Sequence, residues 1–169
     1  MAIFEVKKEK NKDIIQLLRK INYITDWCAT RQDLIYGSAV SVLDTYEEMV
    51  AVKNVFDKAN RSAYRHYILS IEENEKIQLL RFKNLGIEVC EILSGFYGNY
   101  QVLMAVHINT DHLHIHYVIN TIDYLTGNRL DLNRGRLEEL KYGISKKLYK
   151  YQLLPVKMKG LGDLETDEK

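Results

Sequence analysis

A single proline, Pro155, interrupts a chain of 169 residues, and only two cysteines, Cys28 and Cys90, occur in it. No Gly/Ser-rich linker, repeat or low-complexity tract divides the sequence, so it reads as one domain from the N-terminus to about Leu154. Two cysteines so far apart suggest neither a disulfide framework nor a thiolate zinc site, and they read as free thiols. Long apolar runs are also missing. The longest, Val102 to Val106, falls far short of the roughly 20 residues a membrane span needs, and the N-terminus lacks the apolar stretch of a signal peptide. A soluble, cytoplasmic protein without membrane insertion is expected. Nor is there charge of one sign: 24 Lys+Arg against 23 Asp+Glu leave a net +1, which gives no broad electrostatic signal for nucleic acid.

What the chain does have is apolar material for a core, 46% of its residues, together with 12 tyrosines and five histidines, four of them between positions 107 and 116. A short strand, Ala2 to Val6, precedes a helix from about Asn11 to Tyr23 whose Ile14, Ile15, Leu17, Leu18 and Ile21 form an apolar stripe. Leu34 to Val42 reads as extended. Asp44, with Glu47 three residues on, has the capping pattern of a helix running to about Ala59. Ala63 to Ile71 has strand character, and a long helix spans about Asn74 to Tyr97, weakened or bent near Gly86. Gln101 to Ile108 and His112 to Ile122 then form an antiparallel hairpin. Asn133 caps a last helix with Leu137, Leu140, Ile144 and Leu148 at helical spacing. This order predicts an α+β fold, a mainly antiparallel central sheet with helices packed on it. Residues 155–169, with Gly160, Gly162 and the acids Asp163, Glu165, Asp167 and Glu168, read as a loosely held acidic tail or a linker to a missing C-terminal region.

The informative segment runs His107-Ile-Asn-Thr-Asp-His-Leu-His-Ile-His-Tyr-Val-Ile-Asn120. Side chains alternate across a strand, so His112, His114 and His116 share a face that Val118 and Asn120 continue. If residues 107 and 114 pair across the turn, His107 joins that face. Three imidazoles can then converge on one metal ion and leave coordination positions open. A half-solvated sheet face or a purely structural metal site are the bland alternatives. Four histidines in ten residues of an apolar hairpin favour a catalytic site. The chain has no His-Glu-x-x-His helix, P-loop or dinucleotide-type glycine loop, so the commonest metalloprotease, nucleotide hydrolase and oxidoreductase readings fall away.

A histidine, a short polar stretch and then Asp-His-x-His-x-His-x-x-x-Asn on an apolar strand resembles the metal motif of the mobilisation relaxases, tyrosine nucleases of the histidine-hydrophobic-histidine (HUH) superfamily. Asn120-Thr-Ile-Asp-Tyr-Leu-Thr-Gly-Asn-Arg129, Ala63-Tyr-Arg-His-Tyr-Ile-Leu-Ser70 and Ile21-Asn-Tyr-Ile-Thr25 are similar to the family's neighbouring segments. The resemblance covers most of the first 150 residues; the histidine motif is its specific part and the tyrosine segment the weaker one. It implies an HUH-like fold, His107, His114 and His116 as ligands of a divalent metal (Mg²⁺ or Mn²⁺), and Tyr23 as nucleophile. His112, Asn109, Asp111 and Asn120 would lie beside the ligands. Many relatives have an aspartate where this chain has Asn109, so the neutral side chain departs from the pattern there and Asp111 is its alternative. Tyr36 is the second candidate nucleophile, whereas Tyr117 alternates out of phase with the histidines and should face away. His66 is a candidate to position phosphate or accept a proton, against the ordinary reading of a structural strand histidine.

The implied reaction is metal-dependent, site- and strand-specific nicking and rejoining at a transfer origin through a covalent 5′-phosphotyrosyl link, which starts plasmid or conjugative-element mobilisation. Implied partners are single-stranded or locally melted origin DNA, an accessory mobilisation protein and a secretion coupling protein. DNA contact is expected from Lys7, Lys8, Lys10 and Lys12, from Arg61 and Arg65, and from Arg134 and Arg136. The competing readings are a rolling-circle replication initiator or transposase of the same superfamily, and a non-catalytic metal-containing DNA-binding module.

Overall fold

The structure, a computed structural model, describes residues 2–10, 12–59, 62–72 and 75–160. In chain order its elements are β1 (Ala2–Val6), α1 (Ile14–Ile24), β2 (Ile35–Ser38), α2 (Thr45–Val55), β3 (Tyr64–Ile71), α3 (Leu79–Ser94), β4 (Val102–His107), β5 (His114–Asn120), α4 (Arg134–Lys150) and β6 (Lys157–Lys159). The strands form one sheet in the order β2-β4-β5-β3-β1-β6. Every pairing is antiparallel except β1 with β6. The α+β expectation therefore holds.

Local chemistry explains where the helices begin. Asp13 Oδ1 accepts the amide of Gln16 at 2.8 Å and caps α1, and Asn133 Oδ1 accepts that of Arg136 at 3.0 Å and caps α4. The pattern anticipated at Asp44 works differently: Asp44 makes no side-chain cap bond, while Glu48 accepts the Ser41 amide at 3.0 Å and Thr45 donates to the Ser41 carbonyl at 2.7 Å. α3 is shorter than expected and runs unbroken through Gly86. That glycine serves packing: a Cβ there would stand 2.6 Å from Ile115 Cδ1, so α3 presses directly onto β5.

The sheet is covered on both faces. On one, Phe82, Leu85 and Val89 of α3 and Leu140, Ile144 and Leu148 of α4 pack on Tyr67, Leu69, Met104, Val106, Ile115 and Tyr117. On the other, Leu17, Ile21 and Ile24 of α1 and Met49 of α2 cover Tyr64, Leu103, Ala105 and Val118. β4 is consequently buried at every position. Each fully buried large apolar side chain contributes about 1.5–3 kcal/mol of transfer free energy, so the β4–β5 hairpin is held from both sides. His107, His114 and His116 share the face covered by α1 and α2, at the end of the hairpin next to its turn. β6, within the residues read as tail, lies parallel to β1, pairing Phe4 with Met158. Lys-Met-Lys has no apolar periodicity to announce a strand. Residues 161–169, with most of the acidic tail, lie outside the described residues, as does Arg61.

Candidate active site

His107 closes β4, His114 opens β5, and the two are cross-strand partners. The pairing puts His107, His114 and His116 on one face, as the alternation implied. Ring centroids lie 4.0 Å apart for His107–His116, 5.0 Å for His114–His116 and 5.3 Å for His107–His114. One ring nitrogen of each lies within 4.8 Å of the others.

Hydrogen-bond partners decide which nitrogens remain for a metal. His107 Nε2 stands 2.9 Å from the Ile24 carbonyl, which can only accept, so Nε2 carries the proton and Nδ1 keeps its lone pair. His114 Nδ1 faces the His112 carbonyl at 3.0 Å, so the Nδ1 proton is committed there and Nε2 is the nitrogen left to a metal. For His116 the argument runs back two residues. Glu9 is drawn down to about 2: burial opposes its ionisation, and hydrogen bonds from His66, Lys20 and Tyr64 overcome that. The carboxylate accepts from His66 Nδ1 at 3.3 Å, so His66 Nε2 is an acceptor, and it takes the proton of His116 Nδ1 at 2.9 Å. His116 Nε2 is left buried with no hydrogen-bond partner. Burial also keeps the imidazoles neutral, lowering His107 and His66 below the ordinary histidine range and His116, with the other histidines adding, to about 2. Three imidazole nitrogens, one of them orphaned in the protein interior, fit a divalent metal.

Tyr23 lies in the last turn of α1. Leu17, Ile21 and Ile24 bury one side of that helix, and Tyr23 falls off this stripe, 53% exposed. Its ring meets His107 and His116 edge-on at centroid distances of 5.7 and 5.6 Å. The His107–Ile24 bond ties the helix end to the histidine cluster. Lys20, one turn earlier, places its ammonium 5.2 Å from the Tyr23 ring centroid and pairs with Glu9 at 2.7 Å.

Other expected residues are not brought together here. Asn109, Asp111 and His112 sit exposed in the hairpin turn. Asn120 is buried at the far end of β5, where its Oδ1 accepts from Lys53 and its Nδ2 donates to Gln101 Oε1 and the Met49 carbonyl. Tyr36 pairs with Met104 on the opposite side of the sheet and donates to Glu91 at 2.6 Å, which with burial pushes it up to about 12. Tyr117 faces away as expected, its hydroxyl on the Gly86 carbonyl. His66 is buried behind His116 rather than open to a substrate.

Residues 23–153 match the relaxase family described as MobA/VirD2-like, nuclease domain. The chain belongs to that family. The relaxase domain is 31% identical over 91 residues to Protein rlx of Staphylococcus aureus, covering 54% of this chain and 26% of the relative. It is 32% identical over 108 residues to Protein TraI of Escherichia coli, covering 60% and 14%. It thus spans a minor part of the length of both relatives. The fold is similar to a solved structure described as the molecular basis of vancomycin resistance transfer in Staphylococcus aureus. That likeness has a TM-score of 0.58 at 14% identity and covers 93% of this chain and 97% of the other. The matched model is that of a relaxase nuclease domain. Among the described residues no helix is long and apolar enough to cross a membrane.

Two residues of the candidate site carry their role in the structure rather than in the sequence pattern. Lys20 carried a signal, its i, i+3 spacing from Tyr23 on one helix. Glu9 carried none, sitting among Lys7, Lys8, Lys10 and Lys12 as one more charge in a polar stretch. Of the basic residues singled out, Lys7 donates its amide to the His66 carbonyl at 3.0 Å, and Lys8 is exposed beside it. Arg65 alternates with Tyr67 and Leu69 on the other face of β3. Arg134 and Arg136 open α4 on that same side of the sheet, and Arg136 is engaged by Asp131 and the Tyr97 ring.

Proposed function

We propose that this domain cuts one strand of single-stranded or locally melted origin-of-transfer DNA through Tyr23, with a divalent metal held by His107, His114 and His116, and so initiates mobilisation of a plasmid or conjugative element. The observation that carries the reading is the edge-on approach of the half-exposed Tyr23 ring to His107 and His116, the two most buried of three imidazoles with converging lone pairs. The ligand atoms are His107 Nδ1, His114 Nε2 and His116 Nε2. A bound divalent ion would offset charge on the non-bridging phosphate oxygens. Three nitrogen donors suit Mn²⁺ better than Mg²⁺, which prefers oxygen.

In the reaction the Tyr23 oxygen forms a bond to phosphorus, the P–O3′ bond breaks, and the departing 3′ oxygen gains a proton as the phenol loses one. The phosphate becomes the 5′-phosphotyrosyl ester. Because one phosphodiester replaces another, a free 3′-hydroxyl can reverse the step and rejoin the strand. The Lys20 ammonium lies where it can face negative charge gathering around Tyr23 and the phosphate. His66 and Glu9 orient His116 by fixing its Nδ1 proton, which keeps Nε2 directed at the metal. Accessory mobilisation and secretion coupling proteins belong to the same reading.

The test is nicking of supercoiled DNA carrying the element's transfer origin, with Mn²⁺ or with EDTA. Wild type and Tyr36→Phe should nick in Mn²⁺, while Tyr23→Phe and EDTA-treated wild type should not. Full nicking by Tyr23→Phe would remove Tyr23 as nucleophile. Retention of the origin strand without nicking by any variant would favour a non-catalytic binding module.

A further inference from the structure

Trp27 is the chain's only tryptophan and is 87% exposed, the most exposed large hydrophobic among the described residues. Single exposed apolar side chains are common on proteins, so exposure alone says little; its setting says more. Residues 24–30 wrap around the end of β4. The Ile24 carbonyl accepts from His107 Nε2 at 2.9 Å, the Ala29 carbonyl accepts the Ile108 amide at 2.8 Å, and Thr30 Oγ1 donates to the Val106 carbonyl at 2.6 Å. Three consecutive residues of the hairpin, with the metal ligand His107 in the middle, thus grip the two ends of this segment. Inside it, Asp26 closes a turn: its carbonyl accepts the amides of Ala29 and Thr30 at 2.9 and 3.0 Å, and its Oδ1 accepts that of Cys28 at 2.8 Å. Trp27 stands on this turn, four residues after Tyr23. The molecule therefore holds a large aromatic side chain in water on a segment clamped to its metal-ligand strand.

We propose that Trp27 is a stacking platform for an unpaired nucleobase next to the phosphate that Tyr23 attacks, a subsite that holds the single strand in register over the site. This rests on the DNA-nicking reading above. An unpaired base is the occupant that fits: an indole offers a flat π-face that any base can stack on, and a strand seated at Tyr23 and the histidines has to pass the adjoining turn. Pinning the turn beforehand lowers the ordering cost of the contact. A duplex, whose bases already stack on one another, offers nothing comparable.

The lone tryptophan makes the test direct, because indole emission excited clear of tyrosine absorbance reports this residue alone. Fluorescein-labelled oligothymidylate and single strands tiled across the DNA flanking the gene are titrated into the protein, with anisotropy for binding and Trp27 emission for contact. Quenching should follow the anisotropy curve for single strands and be absent for the matching duplexes. Trp27→Ala should weaken single-strand binding by about 5- to 100-fold, and Trp27→Phe should recover most of that loss. Metal affinity and the far-ultraviolet circular dichroism of Trp27→Ala should match wild type. Strands that bind by anisotropy without changing Trp27 emission, and equally well to Trp27→Ala, would overturn the subsite and leave the nicking reading standing. No single-strand binding at all would overturn both.

Discussion

His66 Nε2 stands 2.9 Å from His116 Nδ1 with the two rings stacked 17° from parallel, so one of the two buried candidate ligands is held from behind by a second strand of the sheet. Glu9 holds His66 in turn. The same carboxylate pairs with Lys20, and Lys20 lies against Tyr23. One acidic residue thus touches both halves of the site, the histidine cluster and the helix that carries the tyrosine.

Replacing His66 with Phe keeps a ring of similar size and removes the partner of His116 Nδ1. Mn²⁺ affinity measured by calorimetry should fall about 10- to 100-fold. Glu9→Gln should shift it in the same direction by less, since the amide still has an oxygen for His66 but leaves Lys20 without an anion. Unchanged affinity in both variants would mean that the contacts behind His116 do not orient it.

The donor set also fixes a metal preference. Three imidazole nitrogens should bind Mn²⁺ more tightly than Mg²⁺ and Co²⁺ more tightly than Mn²⁺. Competition calorimetry on the metal-free protein checks the order. His116→Ala, which removes a proposed ligand, should abolish specific binding of all three ions, and tighter binding of Mg²⁺ than Mn²⁺ would contradict three-nitrogen ligation.

The histidine hairpin was legible because strand alternation has a period of two, and a short turn left His107 opposite His114. Asn133 and the Leu137-Leu140-Ile144-Leu148 spacing were legible for the same kind of reason, a local rule that tertiary packing did not overrule. Glu9, Tyr36 and Asn120 were not, because each takes its meaning from a partner at least 50 residues away in sequence: Glu9 from His66, Tyr36 from Glu91 and Asn120 from Lys53. The three-residue strand β6 escaped because its pairing with β1 is a backbone property, and Lys-Met-Lys gives no side-chain pattern for it.

Lys53 gives the pH dependence. It is fully buried against Asn120, and burial, with the Arg129 charge adding, lowers it from 10.5 to about 7. Below about pH 7 the folded and unfolded chains both carry its proton, and the cost of burying the charge is fully present. Between about 7 and 10.5 only the unfolded chain is protonated, so Lys53's contribution to stability becomes more favourable as pH rises, at up to about 1.4 kcal/mol per pH unit. Urea unfolding of wild type and Lys53→Met at pH 7 and pH 9 should show wild type gaining relative to the variant at the higher pH. A difference independent of pH would mean that Lys53 keeps an ordinary pKa in the fold.

The most direct test of the account is the identity of the residue that becomes joined to DNA. Wild-type protein is incubated with Mn²⁺ and a single strand spanning the origin nick site, digested with protease, and the nucleotide-bearing peptide sequenced by mass spectrometry. The account predicts a phosphodiester on Tyr23, formed in Mn²⁺, absent in EDTA and lost in Tyr23→Phe. An adduct on any other residue, or one that persists in Tyr23→Phe, would contradict it.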